Sequence, residues 1–407
     1  MALLRTTTHL ISPQAYGQLA LSLTVGVFVC QVSQSGVMPG IMRYYTIAVE
    51  RRDVANYTKA SKKLMSLGVA VTLGLSAFIS LLASFTGYSA WLGGLALATI
   101  LTQVNSFNAT LNALQNAARQ RNSVALHGMA DPWIKVLFLH FFAPFFNYTI
   151  NVVIGIYILC SLIIFTSQTL CFWRLYRRMP EGEQGIPTDW FHEMVRFSKP
   201  FVIFNPFTWL QSYSDRWSLE KFTSLQAVGQ YAVVSQLGSA PMQAVVGLVT
   251  NLIGPILFQR AGDATNEIRN NSVRRLSWTI TLLSLAVTMG GFFACYFFHH
   301  YIFQILVAEA YRSQSYLLPW LVLGGGFFSA SQVLALQLQS ELNTQGLVLP
   351  KVLTALLAAG CNGLGAMIWG IDGVVGAVVL VSLGSLAWMI ILARKKVPAP
   401  AFPKGAD

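Results

Sequence analysis

Charge is what this sequence has least of. Asp, Glu, Lys and Arg make up only 10% of its 407 residues, against about 25% in a soluble globular domain. With 54% hydrophobic residues and a mean hydropathy of +0.55, this excludes a soluble domain and predicts an all-α polytopic membrane protein. Acidic residues are scarcer than basic ones, 15 against 27, which leaves a net charge of +12. A nucleic-acid partner would need that excess gathered on one soluble face. Here the basic residues lie between apolar segments, so no nucleic acid is expected. Cysteine is sparse too: Cys30, Cys160, Cys171, Cys295 and Cys361 stand singly in apolar stretches, with no CxxC and no His at ligand spacing. They are read as small core hydrophobes, not a disulfide framework or a metal site. Walker, GxSxG and paired-carboxylate signatures are absent. His299 and His300, near Glu309, have no third ligand at convincing spacing. No catalytic residue, cofactor or metal is therefore expected, and the chain is read as a non-enzyme. Met1–Ser12 is too short and too polar to form the apolar core of a cleavable signal peptide.

What the sequence does have is long apolar runs. Taking about 20 apolar residues per crossing, eleven segments are predicted: 16–38, 64–86, 91–114, 123–146, 149–173, 200–222, 227–257, 276–299, 315–337, 349–370 and 373–393. Lys and Arg concentrate in cytoplasmic loops. The loops after the first, third, fifth, seventh and ninth segments and the C-terminal tail hold all 27 basic residues except Arg5, Lys135, Arg216, Lys221 and Arg312. The C-terminus is accordingly expected in the cytoplasm. The first run then crosses from outside to inside, and nothing visible carries Met1 outward.

An internal repeat bears on that gap. Gln14-Ala15-Tyr16-Gly17-Gln18-Leu19-Ala20 recurs as Gln226-Ala227-Val228-Gly229-Gln230-Tyr231-Ala232, an offset of 212, and the same offset carries Lys62-Lys63-Leu64 onto Arg274-Arg275-Leu276. The unit spanning Trp209–Ala264 has a leading helix, 200–222, whose counterpart keeps only its last turns, around Met1–Leu10. A twelve-helix protein with a truncated first helix is expected, and an upstream in-frame start codon encoding apolar residues would support it. The halves are predicted to be parallel repeats with a binding site at their interface. The predicted organisation is an N-terminal lobe at 1–173, a cytoplasmic linker at 174–199 carrying Glu181-Gly182-Glu183-Gln184-Gly185, a C-terminal lobe at 200–393 and a tail at 394–407.

Polar residues at membrane depth are costly and mark candidate sites. Asp131 and Lys135, spaced i, i+4, can pair on one helical face; alternatively Asp131 and Pro132 begin a helix as N-cap and first-turn proline. His140 is read as a core or interfacial histidine. Asp215 and Arg216, followed by Trp217 and Lys221, form either an interfacial anchor or a charged lining for an anionic headgroup, to which Arg216 would offer planar bidentate contacts. Three uncharged stripes recur at helical spacing: Asn105, Asn108, Asn112, Asn116 and Arg119; Gln236, Ser239, Gln243 and Thr250; and Ser329, Gln332, Gln339 and Asn343. Each could line a hydrophilic cleft or join helices, and three stripes in two lobes favour the cleft. Gly370, Gly373, Gly376 and the run Gly324-Gly325-Gly326 predict close contacts or bends.

RTTTHLISPQAYGQLALS, containing Pro13-Gln14-Ala15-Tyr16-Gly17, resembles the start of bacterial polysaccharide biosynthesis proteins of the O-antigen flippase type, where a similar turn follows the first helix. SDRWSLEKFTSLQAVGQYAVVSQLGSAP and PILFQRAGDA resemble the opening of that family's second lobe. The resemblance spans nearly the whole chain and points to the multidrug/oligosaccharidyl-lipid/polysaccharide exporter superfamily. It implies a twelve-helix, two-lobe transporter in the bacterial inner membrane that moves a polyprenyl-diphosphate-linked oligosaccharide, an O-antigen or exopolysaccharide repeat unit, between leaflets. It further implies a monomer surrounded by membrane lipids, working beside polysaccharide polymerase and chain-length proteins in lipopolysaccharide or exopolysaccharide synthesis. The sequence departs from the family in lacking most of the first helix. A multidrug exporter of the same superfamily is the competing expectation; a membrane polymerase or acyltransferase is a third, disfavoured by the modest outer loop at His300–Gln314.

Overall fold

Each apolar run becomes a helix. A computed structural model describes residues 1–34, 37–85, 88–118, 120–177, 189–261, 267–340 and 348–394. Among them are α1 (Ala2–Leu10), α2 (Pro13–Gln34), α3 (Val37–Glu50), α4 (Val54–Phe85), α5 (Leu92–Ala117), α6 (Arg121–Phe142), α7 (Ile150–Tyr176), α8 (Trp190–Phe222), α9 (Leu225–Ala261), α10 (Glu267–Leu306), α11 (Leu318–Ser340) and α12 (Val348–Arg394). The eleven predicted segments correspond to α2, α4–α11 and the two arms of α12. Those arms meet at Gly370, whose φ of 60° and ψ of −130° break the helix in a region that favours glycine. The expected outer loop is shorter than predicted, because α10 runs on to Leu306 and a 3₁₀ segment, Glu309–Leu317, leads into α11.

The chain divides into two units, Met1–Trp209 and Leu210–Asp407, with α8 contributing to both. Residues 178–188 of the predicted linker, including Glu181–Gly185, lie outside the described residues. The duplication holds at the level of single hydrogen bonds. Ser12 Oγ accepts from the amide of Ala15 at 3.3 Å, and Ser224 Oγ accepts from the amide of Ala227 at 3.2 Å. Each serine thus caps the start of its helix, α2 or α9, at positions 212 apart. Gly26 and Gly238, also 212 apart, bring those helices against α5 and α11: a Cβ would meet Ala98 O at 2.7 Å in the first case and Leu321 Cβ at 2.8 Å in the second. In the second unit the successive glycines 324, 325 and 326 face three helices in turn, at Val378, Ser239 and Thr288. The expected close packing of this run is what the fold contains. Gly376, by contrast, has nothing within 4 Å of its Cβ position.

One helix was not foreseen. α3 falls in a stretch assigned to a cytoplasmic loop, and it is too short and too mixed to register as a crossing. Its apolar face, through Val37, Ile41, Tyr45 and Ala48, packs with Tyr57 and Leu64 of α4 and with Trp190 and Met194 of α8. Arg52, at φ 55°, turns the chain from α3 into α4. The buried Asp53 beside it accepts from Trp190 Nε1 at 2.7 Å and from Asn56 Nδ2 at 2.8 Å. A buried carboxylate needs such donors. They tie the start of α8 to this turn.

Candidate functional site

The first unit contains a polar cavity of about 560 Å³ between α2, α5 and α8. Its polar lining is Gln31, Gln34, Thr102, Asn105, Ser106 and Asn205, and no carboxylate or cation is among its lining residues. The amides are held in a network. Gln34 Nε2 donates to Gln103 Oε1 at 3.2 Å, which also accepts from Thr72 Oγ1 at 3.0 Å, and Thr72 is bonded to Ser33 at 2.7 Å. Gln31 Oε1 is buried without a hydrogen-bond partner. An arrangement of fixed amides with unspent capacity can bind hydroxyl-rich, uncharged groups. α8 closes one side of this unit, where Trp209 Nε1 donates to Thr24 O at 2.8 Å and its ring meets Phe28 edge-on at 4.9 Å.

Among the predicted residues of this unit that are described, only Asn105 lines the cavity, and Arg119 lies outside the described residues. Asn105 Oδ1 also accepts from Ser161 Oγ at 3.0 Å. Asn108 Nδ2 donates to Ser161 O at 3.1 Å, and Asn112 Oδ1 accepts from Gln168 Nε2 at 2.9 Å. The stripe on α5 is therefore mostly spent on α7. This corrects the cleft reading of Asn108 and Asn112: a 3.6-residue period shows that one face is polar but not what covers it. Gln31, Gln34 and Asn205 were missed. Gln31 lies 212 residues before Gln243, so applying the duplication to the second-lobe stripe would have found it.

Asp131 and Lys135 do pair, at 2.7 Å. α6 runs straight through Asp131 and Pro132, which excludes the N-cap alternative. The pair sits among α1, α6 and α7: Lys135 Nζ lies 5.7 Å from the Tyr157 ring centroid, and Tyr157 OH is bonded to Thr7 Oγ1 at 2.8 Å. Neither residue lines the polar cavity. The geometry is that of a brace between helices. Lys135→Ala is expected to destabilise the protein by about 1–2 kcal/mol, a modest loss because Asp131 keeps some solvent access. The double variant Asp131→Asn/Lys135→Met should recover most of this in a thermal melt. A transport defect that the double variant fails to rescue would return Lys135 to the substrate path.

In the second unit Asp215 is buried, and its Oδ2 accepts from Tyr231 OH at 2.6 Å. Its neighbour Ser214 accepts from Asn362 Nδ2 at 2.9 Å. These contacts fasten the end of α8 to α9 and α12. No ion pair within 4.0 Å joins the Asp215 carboxylate to the Arg216 guanidinium; the carboxylate accepts instead from the Arg216 backbone amide at 2.7 Å. Arg216 lies 5.3 Å from the Tyr213 ring centroid, and its Nε is buried without a hydrogen-bond partner. Gln236 is exposed on α9 and Gln332 half-buried on α11. The side chains of Gln243 and Gln339 lie outside those described. His299 Nδ1 is bonded to Ser315 Oγ at 3.0 Å, and His300 Nε2 is 2.9 Å from Gln304 Nε2.

Residues 8–303 match the family model described as polysaccharide biosynthesis protein. No curated protein matches the chain. Solved structures with a similar fold include an inward-facing multidrug resistance MATE family transporter of the MOP superfamily, 14% identical, covering 97% of this chain and 92% of that one with a TM-score of 0.67. A MOP superfamily transporter from Pyrococcus furiosus, whose binding pocket is described as of reverse polarity, is 12% identical over 95% of this chain and 97% of its own, at a TM-score of 0.57. The lipid II flippase MurJ, in an inward closed conformation, is 11% identical over 94% and 87%, at 0.56. At these identities the similarity is one of fold, and the fold is that of MOP superfamily transporters.

Proposed function

The chain belongs to the polysaccharide biosynthesis protein family, and from that premise we propose that it is a flippase that moves a polyprenyl-diphosphate-linked oligosaccharide between the leaflets of the bacterial inner membrane. It is a multi-pass membrane protein with a transporter fold. One observation carries the choice of substrate: the cavity of the first unit has amides and hydroxyls as its polar lining, set among Val27, Met38 and Ala109, and no carboxylate among its lining residues. Sugars present many hydroxyls and no charge, so they suit such a lining. A cationic drug would call for a buried anion instead. The diphosphate is the anionic part of the substrate, and Arg216 is a cation for it. Alternating access of the substrate site from the two sides of the membrane supplies the movement. The basic loops and tail face the cytoplasm in this reading.

The test is reconstitution of the full chain in vesicles containing a fluorescent lipid-linked disaccharide, with a membrane-impermeant quencher outside. Protein-dependent access of inner-leaflet label to the quencher is expected, together with no uptake of a cationic dye. Dye transport without glycolipid movement would overturn the proposal in favour of a drug exporter.

A further inference from the structure

Two cavities of the first unit share one wall. Beside the polar cavity lies a second, of about 320 Å³, between α2, α4 and α5 and lined mainly by apolar side chains, among them Val25, Val29, Leu73 and Ile100. Neighbouring residues divide between the two spaces. On α2 Val29 lines the apolar cavity and Cys30 the polar one; on α5 Gln103 lines the apolar cavity and Thr102 the polar one. The wall is closed by hydrogen bonds to Gln103 Oε1, from Gln34 on the polar side and Thr72 on the apolar side. Gln103 Nε2 is buried in this wall without a partner. The outer surface beside the apolar cavity is itself apolar: Leu73 is 66% and Ile100 50% exposed. In a bilayer such a surface meets lipid.

We propose that this apolar groove seats the hydrocarbon chain of the same amphiphile whose sugar occupies the polar cavity, with the Gln103 amide donating to an oxygen at the junction of chain and headgroup. The inference rests on the function proposed above. Its physical basis is that a long isoprenoid chain keeps more of its apolar surroundings in the groove than in a cavity where amides and hydroxyls share the lining, whereas the headgroup cannot enter lipid. A polar and an apolar space separated by one hydrogen-bonded layer satisfy both ends at once. The unspent Gln103 donor stands where the two ends would join, and a buried donor is costly when unmet.

The test is binding to the purified full chain. The probes are undecaprenyl diphosphate N-acetylglucosamine and its geranyl homologue, which has the same head and a short tail. Wild type should bind the long-chain probe about ten-fold more tightly or better, since each buried methylene adds to affinity. Ser76→Trp and Ser80→Trp, which fill the groove from α4, should each abolish that preference while short-chain affinity stays as in wild type. Retained preference in both variants would overturn the inference and leave the groove to bulk lipid. Wild type that binds neither probe would overturn the proposed function itself. A second measurement does not depend on the variants folding: a photoreactive group on the chain should label the α4 peptide containing Ser76 and Ser80, and labelling confined elsewhere would also overturn the inference.

Discussion

On the function proposed above, Arg216→Ala is expected to reach the membrane near wild-type level, to melt only slightly early, and to lose glycan export by about ten- to a hundred-fold, the range of one charge-assisted contact. The hydrogen bonds that hold this end of α8 do not use the guanidinium, although its charge acts on the buried Asp215 and its face lies over Tyr213. Asp215 is met by Tyr231, and Ser214 by Asn362. Truncating Arg216 therefore leaves the buried carboxylate with its hydroxyl donor and the helix with its ties to α9 and α12. What it removes is a cation whose Nε is buried without a hydrogen-bond partner. Burying such a group without a partner is costly, and in the function proposed above an anionic substrate group is that partner. Arg216→Lys should recover only part of the export, because an ammonium gives a point charge where a guanidinium gives a planar fork. The readouts are surface polysaccharide on gels, membrane abundance by immunoblot and a thermal melt of the purified variant. Unchanged export in Arg216→Ala would remove it from the mechanism. A fall in abundance matching the fall in export would make it a structural residue.

The helices were largely legible in the sequence because apolar length is a one-dimensional signal. The repeat was legible for the same reason, and the Ser12 and Ser224 caps show how faithfully its first part is kept. Beyond the start of α4 and α10 the register changes. α5 begins at Leu92 and α11 at Leu318, 226 apart instead of 212. Part of the difference is that the 3₁₀ segment before α11 has nine residues where that before α5 has three. The site was less legible. Period alone placed Asn105, Asn108 and Asn112 on one face correctly, but whether that face meets water or another helix depends on α7, more than 40 residues away. The i, i+4 rule likewise gave the Asp131–Lys135 pair, yet not that α1 and Tyr157 shut it in. α3 escaped because a 14-residue amphipathic helix owes its stability to packing on α4 and α8, which no local window contains.

The largest stability effect is expected at Gly373. The arms of α12 cross there at backbone contact: a Cβ on Gly373 would stand 2.1 Å from Gly365 O, and a Cβ on Gly365 would stand 2.5 Å from Gly373 O. Backbone meets backbone at this point, so no side chain can rotate away. The arms must separate, and Gly370, already at a φ that resists side chains, sits in the turn that would absorb the movement. Separation would also strain the second arm's packing, in which Leu386, Met389 and Ala393 meet Ala330, Leu334 and Leu338 of α11. Gly373→Val should therefore cost about 3 kcal/mol or more, the scale of overpacking combined with lost core contacts. The protein should be depleted from membranes, and any remainder should melt early in detergent. Gly376→Val provides the contrast, since that position is exposed and its Cβ would meet nothing within 4 Å; abundance and melting should stay near wild type. Equal behaviour of the two variants would show that hydrophobic bulk anywhere on this arm matters and that the Gly365–Gly373 crossing does not. Unequal behaviour would locate the stability of the hairpin in that single close approach, which packing of small residues makes possible within a membrane.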